Sequence, residues 1–258
     1  GGQAKWVRMK ICPTRNETTF IAEDLNKRVT VCFFNGSTWG TVSLLSSDTG
    51  GLNDRPEDIA YEQLSSEALC VYWKGTSSSF GFRTYNGAVF SSEQSLSSPF
   101  STECDFVTLY PRPSSDQILL LAADGIAGNP LKAALWDGSA FGAWVTMVNS
   151  LVSNNEECYS AAFESQTGRG VAVYSETGQN QPRYRTLTGS AWSAQASLPT
   201  IGAVAKWIRL AADPTSNSIL FAALDSSDDL NANVWDGTSW GTNTELATDA
   251  TTSDRRQF

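Results

Sequence analysis

The 258-residue sequence contains no histidine. That absence removes Ser-His-Asp and Cys-His nucleophile systems and the zinc and iron sites that need imidazole. No apolar run approaches the roughly 18 to 20 residues of a membrane span, and no charged-then-apolar leader opens the chain. The Gly1-Gly2 start and Phe258 end read as a mature or excised segment. Basic stripes are missing too. With a net charge of −9 and a pI near 4.6, nucleic acid and anionic lipid are poor partners, because nothing would release phosphate counterions. A glycine-rich phosphate loop is absent, as are capped helix-period runs of ten residues or more. The five cysteines, Cys12, Cys32, Cys70, Cys104 and Cys158, form no CxxC pair, and their odd number leaves at least one outside any intramolecular bridge. Cys32 and Cys70 sit in apolar strand patterns and read as small buried hydrophobes.

What is present is periodicity. Five segments share one pattern: CFFNGSTWG, FRTYNGAVF, ALWDGSAFG, YRTLTGSAW and NVWDGTSWG. Its glycine falls at Gly36, Gly87, Gly138, Gly189 and Gly237, at successive spacings of 51, 51, 51 and 48. Three residues later stands an aromatic: Trp39, Phe90, Phe141, Trp192 or Trp240. Asn-Gly or Asp-Gly between alternating apolar runs signals a tight hairpin with positive φ at both central positions. Aromatics flanking the turn can face each other across the strands.

A second hairpin precedes each of these. PTRNETTFIAED, PSSDQILLLAAD and PTSNSILFAALD align without gaps at 13–24, 113–124 and 214–225. Copies two and four share another version, IAYEQLSSEALCVYW at 59–73 and AAFESQTGRGVAVYS at 161–175. The repeats alternate A-B-A-B-A. Each reads as four strands, in the first copy about 5–11, 18–23, 28–34 and 38–45. Four short strands per repeat predict an all-β, five-bladed β-propeller spanning 1–258 as a single domain, with repeats at about 1–57, 58–104, 105–158, 159–205 and 206–258. The alternative is an open or partial array of the same blades, since no strand is visibly borrowed to latch first and last copies together.

The turn pattern resembles the Asp-box hairpin of sialidase-type propellers and related repeat lectins. The matching residues are Asn35-Gly36-Ser37-Thr38-Trp39, Asp137-Gly138-Ser139-Ala140-Phe141 and Asp236-Gly237-Thr238-Ser239-Trp240. The box's Ser two positions before its Asp is missing, with Phe33, Leu135 and Val234 in its place. In that family the box is structural, so the resemblance speaks to fold and implies nothing catalytic.

Sialidase-like hydrolysis can proceed without histidine, given three arginines, a Tyr–Glu nucleophile and an acidic proton donor. Arg8, Arg209, Tyr61-Glu62 and Glu164 are the residues available, one arginine short, with Thr108 where a third would stand. Recurring Asp24, Asp124 and Asp225 follow the second strand, and Asp225 with Asp228 and Asp229 is a weak Ca²⁺ candidate set. Turn initiation accounts for the recurrence at lower cost. Cys104 and Cys158 occupy equivalent points and could staple neighbouring repeats. Asn16 and Asn35 begin glycosylation sequons. Repeating aromatics read first as inter-blade core; Trp73, Trp144 and Tyr184 break the repeat and are the ligand-surface candidates.

These readings predict a non-enzymatic extracellular or cell-surface binding module for a glycan or protein surface, with no cofactor, no metal, no nucleic acid and no membrane insertion. A structural repeat unit of a surface filament or scaffold, with self-association, is the alternative. A sialidase-like glycoside hydrolase ranks third.

Overall fold

The structure is a computed structural model that describes residues 2–50, 55–75, 79–100, 103–124, 128–153 and 156–250. Those residues form five antiparallel sheets and no helix. The first sheet comprises β1 (Ala4–Ile11), β2 (Thr18–Asp24), β3 (Val29–Phe34) and β4 (Ser43–Ser46). β5 (Glu57–Tyr61), β6 (Ala68–Lys74), β7 (Ser79–Tyr85) and β8 (Gln94–Ser97) make the second. The third holds β9 (Cys104–Pro111), β10 (Ile118–Asp124), β11 (Leu131–Trp136) and β12 (Val145–Val148). In the fourth, β13 (Tyr159–Phe163), β14 (Gly170–Tyr174) and β15 (Arg183–Thr188) carry two short outer strands, β16 (Ala191–Trp192) and β17 (Ala196–Ser197). The fifth is β18 (Ala205–Ala212), β19 (Ile219–Asp225), β20 (Leu230–Trp235) and β21 (Thr244–Ala247). Strands neighbour one another in chain order within every sheet, except that β17 pairs with β15 beside β16.

The glycine-centred hairpins differ from the two-residue turn expected of them. Phe34 bridges Trp39, leaving a four-residue loop in which Gly36 has φ +88° while Asn35 keeps negative φ. Asn35 Oδ1 accepts the amides of Ser37 and Thr38 at 3.0 and 2.8 Å, which is what fixes the loop. Asp137 and Asp236 do the same for residues two and three ahead. Those bonds hold the Asp236 carboxyl down to about 2. In the fourth copy Thr188 replaces the Asx residue, and Thr188 pairs directly with Ala191 around a two-residue turn. After Trp39 the chain leaves the ladder, so β4 begins at Ser43 rather than 38.

The chain divides into two compact units, Gly1–Thr146 and Met147–Phe258, with the boundary inside β12. In the first unit, Ile21, Val31 and Phe33 of the first sheet pack on Ile59, Cys70 and Tyr72 of the second. The second sheet's opposite side, Leu69, Val71, Trp73, Phe80 and Phe82, packs on Val107, Leu120 and Trp136 of the third. In the second unit, Val171 and Val173 of the fourth sheet meet Ile219, Phe221 and Trp235 of the fifth. Alternate residues of a strand face opposite sides, so a sheet packed on both sides needs near-continuous apolar runs. ALCVYW and ILLLAA are such runs, and both are buried. Cys158 is a free buried thiol whose Sγ lies against Ser153 O, and desolvation pushes it up to about 12. The bridge to Cys104 is therefore not made.

Candidate functional site

Innermost strands of adjacent sheets are tied together. Asp58 Oδ2 accepts the Leu109 amide at 2.8 Å, and Ser160 Oγ accepts the Leu210 amide at 3.1 Å at the equivalent place. The carboxylates considered for hydrolysis lie in the same kind of seam. Glu62, on the second sheet, accepts the Trp136 indole N–H of the third at 2.6 Å and also Ser65 Oγ. Glu164, on the fourth, accepts the Trp235 indole N–H of the fifth at 2.7 Å, Thr167 Oγ1 and the Arg169 guanidinium. Tyr61 bonds Thr19 and donates to Glu17 Oε1 at 2.8 Å, and desolvation raises its pKa. Arg209 pairs with Glu157 at 2.7 Å. Tyr61, Glu62, Glu164 and Arg209 are thus each engaged in an inter-sheet pin.

The aromatic candidates separate as well. Trp73 is 1 % exposed, with Phe80 edge-on at 5.0 Å; its burial offers no ring face to a ligand and corrects the surface reading. Tyr184 packs edge-on against Trp235 and Trp240 of the next sheet at 5.8 and 6.0 Å. Trp144 stays half-buried, spanning the seam between third and second sheets, with its indole N–H on Ser97 O at 2.8 Å. Of the repeating aromatics, Phe90, Phe141, Trp192 and Trp240 are also half-buried, and Trp39 is exposed. Asp225 Oδ1 accepts the amides of Ser227 and Asp229, and Oδ2 accepts Asn231 Nδ2, so both oxygens organise the turn. Among the described residues no group of three acidic, Cys or His side chains could hold a metal ion.

A cluster that sequence reasoning missed lies on the second sheet, on the side packed against the first. Tyr72 on β6 donates to Glu93 Oε2 at 2.7 Å, and Lys74 donates to Glu93 Oε1 at 2.7 Å. The positive charge of Arg83 on β7 acts on the same tyrosine, favouring its ionised form. Gly81 pairs with Tyr72 across β6–β7, and a Cβ there would collide with the tyrosine ring, so glycine gives the ring its place. Burial pushes Glu93 up, but Lys74 and Tyr72 outweigh it and hold the carboxyl below its ordinary value. Desolvation raises Tyr72, which stays a neutral donor.

The fourth sheet repeats this arrangement 102 residues on. Tyr174 donates to Gln195 Oε1 at 3.1 Å, the charge of Arg185 favours ionisation of Tyr174, and Gln195 Nε2 donates to Glu176 at 3.0 Å. Glu93 and Gln195 are exposed, Arg83 and Arg185 half-buried, and the tyrosines buried. The signal was available: four residues before the hairpin glycine stand Cys32, Arg83, Ala134, Arg185 and Asn233, and six after it Val42, Glu93, Trp144, Gln195 and Asn243. Only the B-type copies pair an arginine with Glu or Gln. Trp144 occupies in the third sheet the slot that Glu93 fills in the second.

Comparison with known proteins decides the architecture. The lectin BP39L from Burkholderia pseudomallei superposes with a TM-score of 0.69 at 12% identity, covering 93% of this chain and 69% of its own. The sheets are β-propeller blades. A six-bladed β-propeller, the Aleuria aurantia lectin, matches with a TM-score of 0.53 at 14% identity over 91% of this chain and 75% of its own. AofleA from Arthrobotrys oligospora follows with a TM-score of 0.59 at 10% identity, over 96% of this chain and 74% of its own. No family model matches the chain, and no curated protein sequence does. At these identities the likeness is one of blade fold.

In both B-type blades a half-buried arginine and an exposed carboxylate or amide stand over a buried tyrosine whose hydroxyl is bonded to that carboxylate or amide.

Proposed function

We propose that this protein is a non-enzymatic glycan-binding module whose sites are the B-type rim clusters, Tyr72–Arg83–Glu93 and Tyr174–Arg185–Gln195. The observation that carries the reading is the recurrence of that triad at one place on the second and fourth blades, and on no A-type blade. Charge-assisted hydrogen bonds from arginine and to carboxylate are the strong kind, and the exposed Glu93 and Gln195 with the half-buried arginines are the members that would meet a ligand. Support comes from the shared blade fold with the Aleuria aurantia lectin, which has been solved with α-methyl-L-fucoside. Trp144, at the equivalent slot of the third blade, is a further contact in this reading, its ring edge reaching the seam surface. Two sites on one chain would bind multivalent glycans with avidity. The proposal includes placement outside the cell, where such glycans are displayed.

The test is titration calorimetry with methyl glycosides, L-fucosides and galactosides first, alongside a glycan array. The expected result is binding at two sites per chain, lost on Arg83→Ala plus Arg185→Ala with the unfolding midpoint little changed. Binding that survives the double substitution would move the site elsewhere. No glycan bound across the array would end the glycan reading.

A further inference from the structure

The first blade has one covered side and one open side. Its open side carries Met9 at 66 %, Trp39 at 58 % and Val42 at 62 % exposure around Phe20, lining a groove of about 520 Å³ with Thr30 and Cys32. Apolar surface of this kind on a monomer marks an interaction site.

The repeat register says what that side is built to meet. Phe20 aligns with Leu120 of the third blade and Phe221 of the fifth, both 0 % exposed and both packed on the B-type blade that precedes them. Trp39 aligns with Phe141, whose ring meets Phe82 of the second blade at 5.3 Å, and with Trp240, which meets Tyr184 of the fourth at 6.0 Å. All three also meet an aromatic of their own hairpin, Trp39 on Phe34 at 5.2 Å, Phe141 on Trp136 at 5.2 Å and Trp240 on Trp235 at 5.5 Å, and among the described residues this is the ring contact Trp39 has.

A polar marker agrees with the apolar one. Asp116 Oδ1 accepts two consecutive amides, Leu64 and Ser65, from the first loop of the preceding B-type blade, at 2.9 Å each. Asn217 Oδ1 accepts Gln166 and Thr167 at 3.1 Å each, at the equivalent place. The first blade's counterpart is Asn16, which is exposed and has no such amides among the described residues. Like Asp116 under Gly138 and Asn217 under Gly237, it lies against its hairpin glycine, Gly36. The acceptor is in place and its donors are not.

We propose that the open side of the first blade is a docking face for one further blade of the B type: a four-stranded antiparallel sheet presenting aliphatic and aromatic side chains, with a first loop whose amides cap Asn16. A second copy of this chain is the poorer occupant. The B-type sides that cover A-type blades here, Leu69, Val71 and Phe82 and also Val171 and Val173, are already buried.

The experiment appends a duplicate of residues 58–104 ahead of residue 1 and, as control, a duplicate of the A-type 105–158. The B-type extension is expected to raise the unfolding midpoint by several degrees, the A-type one much less. Met9→Asp is expected to leave the unextended chain unchanged and to abolish the gain in the extended one, and Asn16→Ala to reduce that gain. Equal gains from both extensions, or none, overturn the proposal. So does a lowered midpoint for Met9→Asp in the unextended chain, which would mean the face is already covered. A concentration-dependent dimer in sedimentation, lost on Met9→Asp, would make a second copy the occupant and also overturn it. None of these outcomes depends on glycan binding.

Discussion

The indole N–H of Trp136 and the buried carboxylate of Glu62, 74 positions apart and on adjacent blades, are joined at 2.6 Å. Trp235 and Glu164 repeat the relationship at 2.7 Å. Hydrogen bonds to charged groups contribute about 1.5–3 kcal/mol, and an orphaned buried partner loses its solvation besides. Trp136→Phe, which keeps the ring and removes the donor, is expected to destabilise by about 1–3 kcal/mol in urea unfolding. A change below about 0.5 kcal/mol would show the pin to be idle.

Hairpin glycines separate conformational strain from contact. Gly138 has φ +100° and an added Cβ would lie 3.2 Å from the Asp116 side chain; Gly178 has φ +79° and open space around it. Gly138→Ala is expected to cost more than Gly178→Ala, with about 1 kcal/mol of backbone strain common to both. Paired thermal melts test the order. Equal losses would mean that the Asx residue beneath the hairpin gives way freely.

Glu57 is fully buried, and among the described residues neither carboxylate oxygen has a hydrogen-bond partner. Desolvation first, and then the nearby Glu23, raise its pKa well above the ordinary 4.5, against the pull of Arg55. A carboxyl that binds its proton more tightly when folded contributes stability that is fully present below pH 4.5 and lost as pH rises through the folded value. Glu57→Gln is therefore expected to flatten the fall in unfolding midpoint between acid and neutral pH, and to be the more stable protein at pH 7. A profile parallel to the parent's would exclude Glu57 as its source.

Trp73 and Trp39 have the same side chain and opposite roles. Trp73→Ala removes a ring that is 1 % exposed and is expected to cost about 3–5 kcal/mol. Trp39→Ala, at 58 % exposure, is expected to stay within about 1 kcal/mol. Urea midpoints compare them directly, and similar losses would contradict the open face of the first blade.

Much of the fold was legible because repetition amplifies weak local signals. One Asn-Gly between apolar runs suggests a hairpin; the same glycine recurring at 36, 87, 138, 189 and 237 identifies an architecture. The A-B alternation was legible too, but its chemical content was not. Arg83 and Glu93 stand ten residues apart, and nothing local brings them together; pairing of β7 with β8 does. Trp73 was misplaced for a related reason. It breaks the repeat, which says that its environment is particular, while sheet packing on Phe80 makes that environment core.

By itself the sequence determined the all-β character, hairpin positions, the alternating repeat and the absence of imidazole chemistry, because these follow from residue type and short-range spacing. Tertiary structure alone decided which acidic residues are pins and which line a rim. It also decided which apolar side of a blade is covered. Strands show both sides equally in a sequence, and only the neighbouring sheet distinguishes the buried side from the open one.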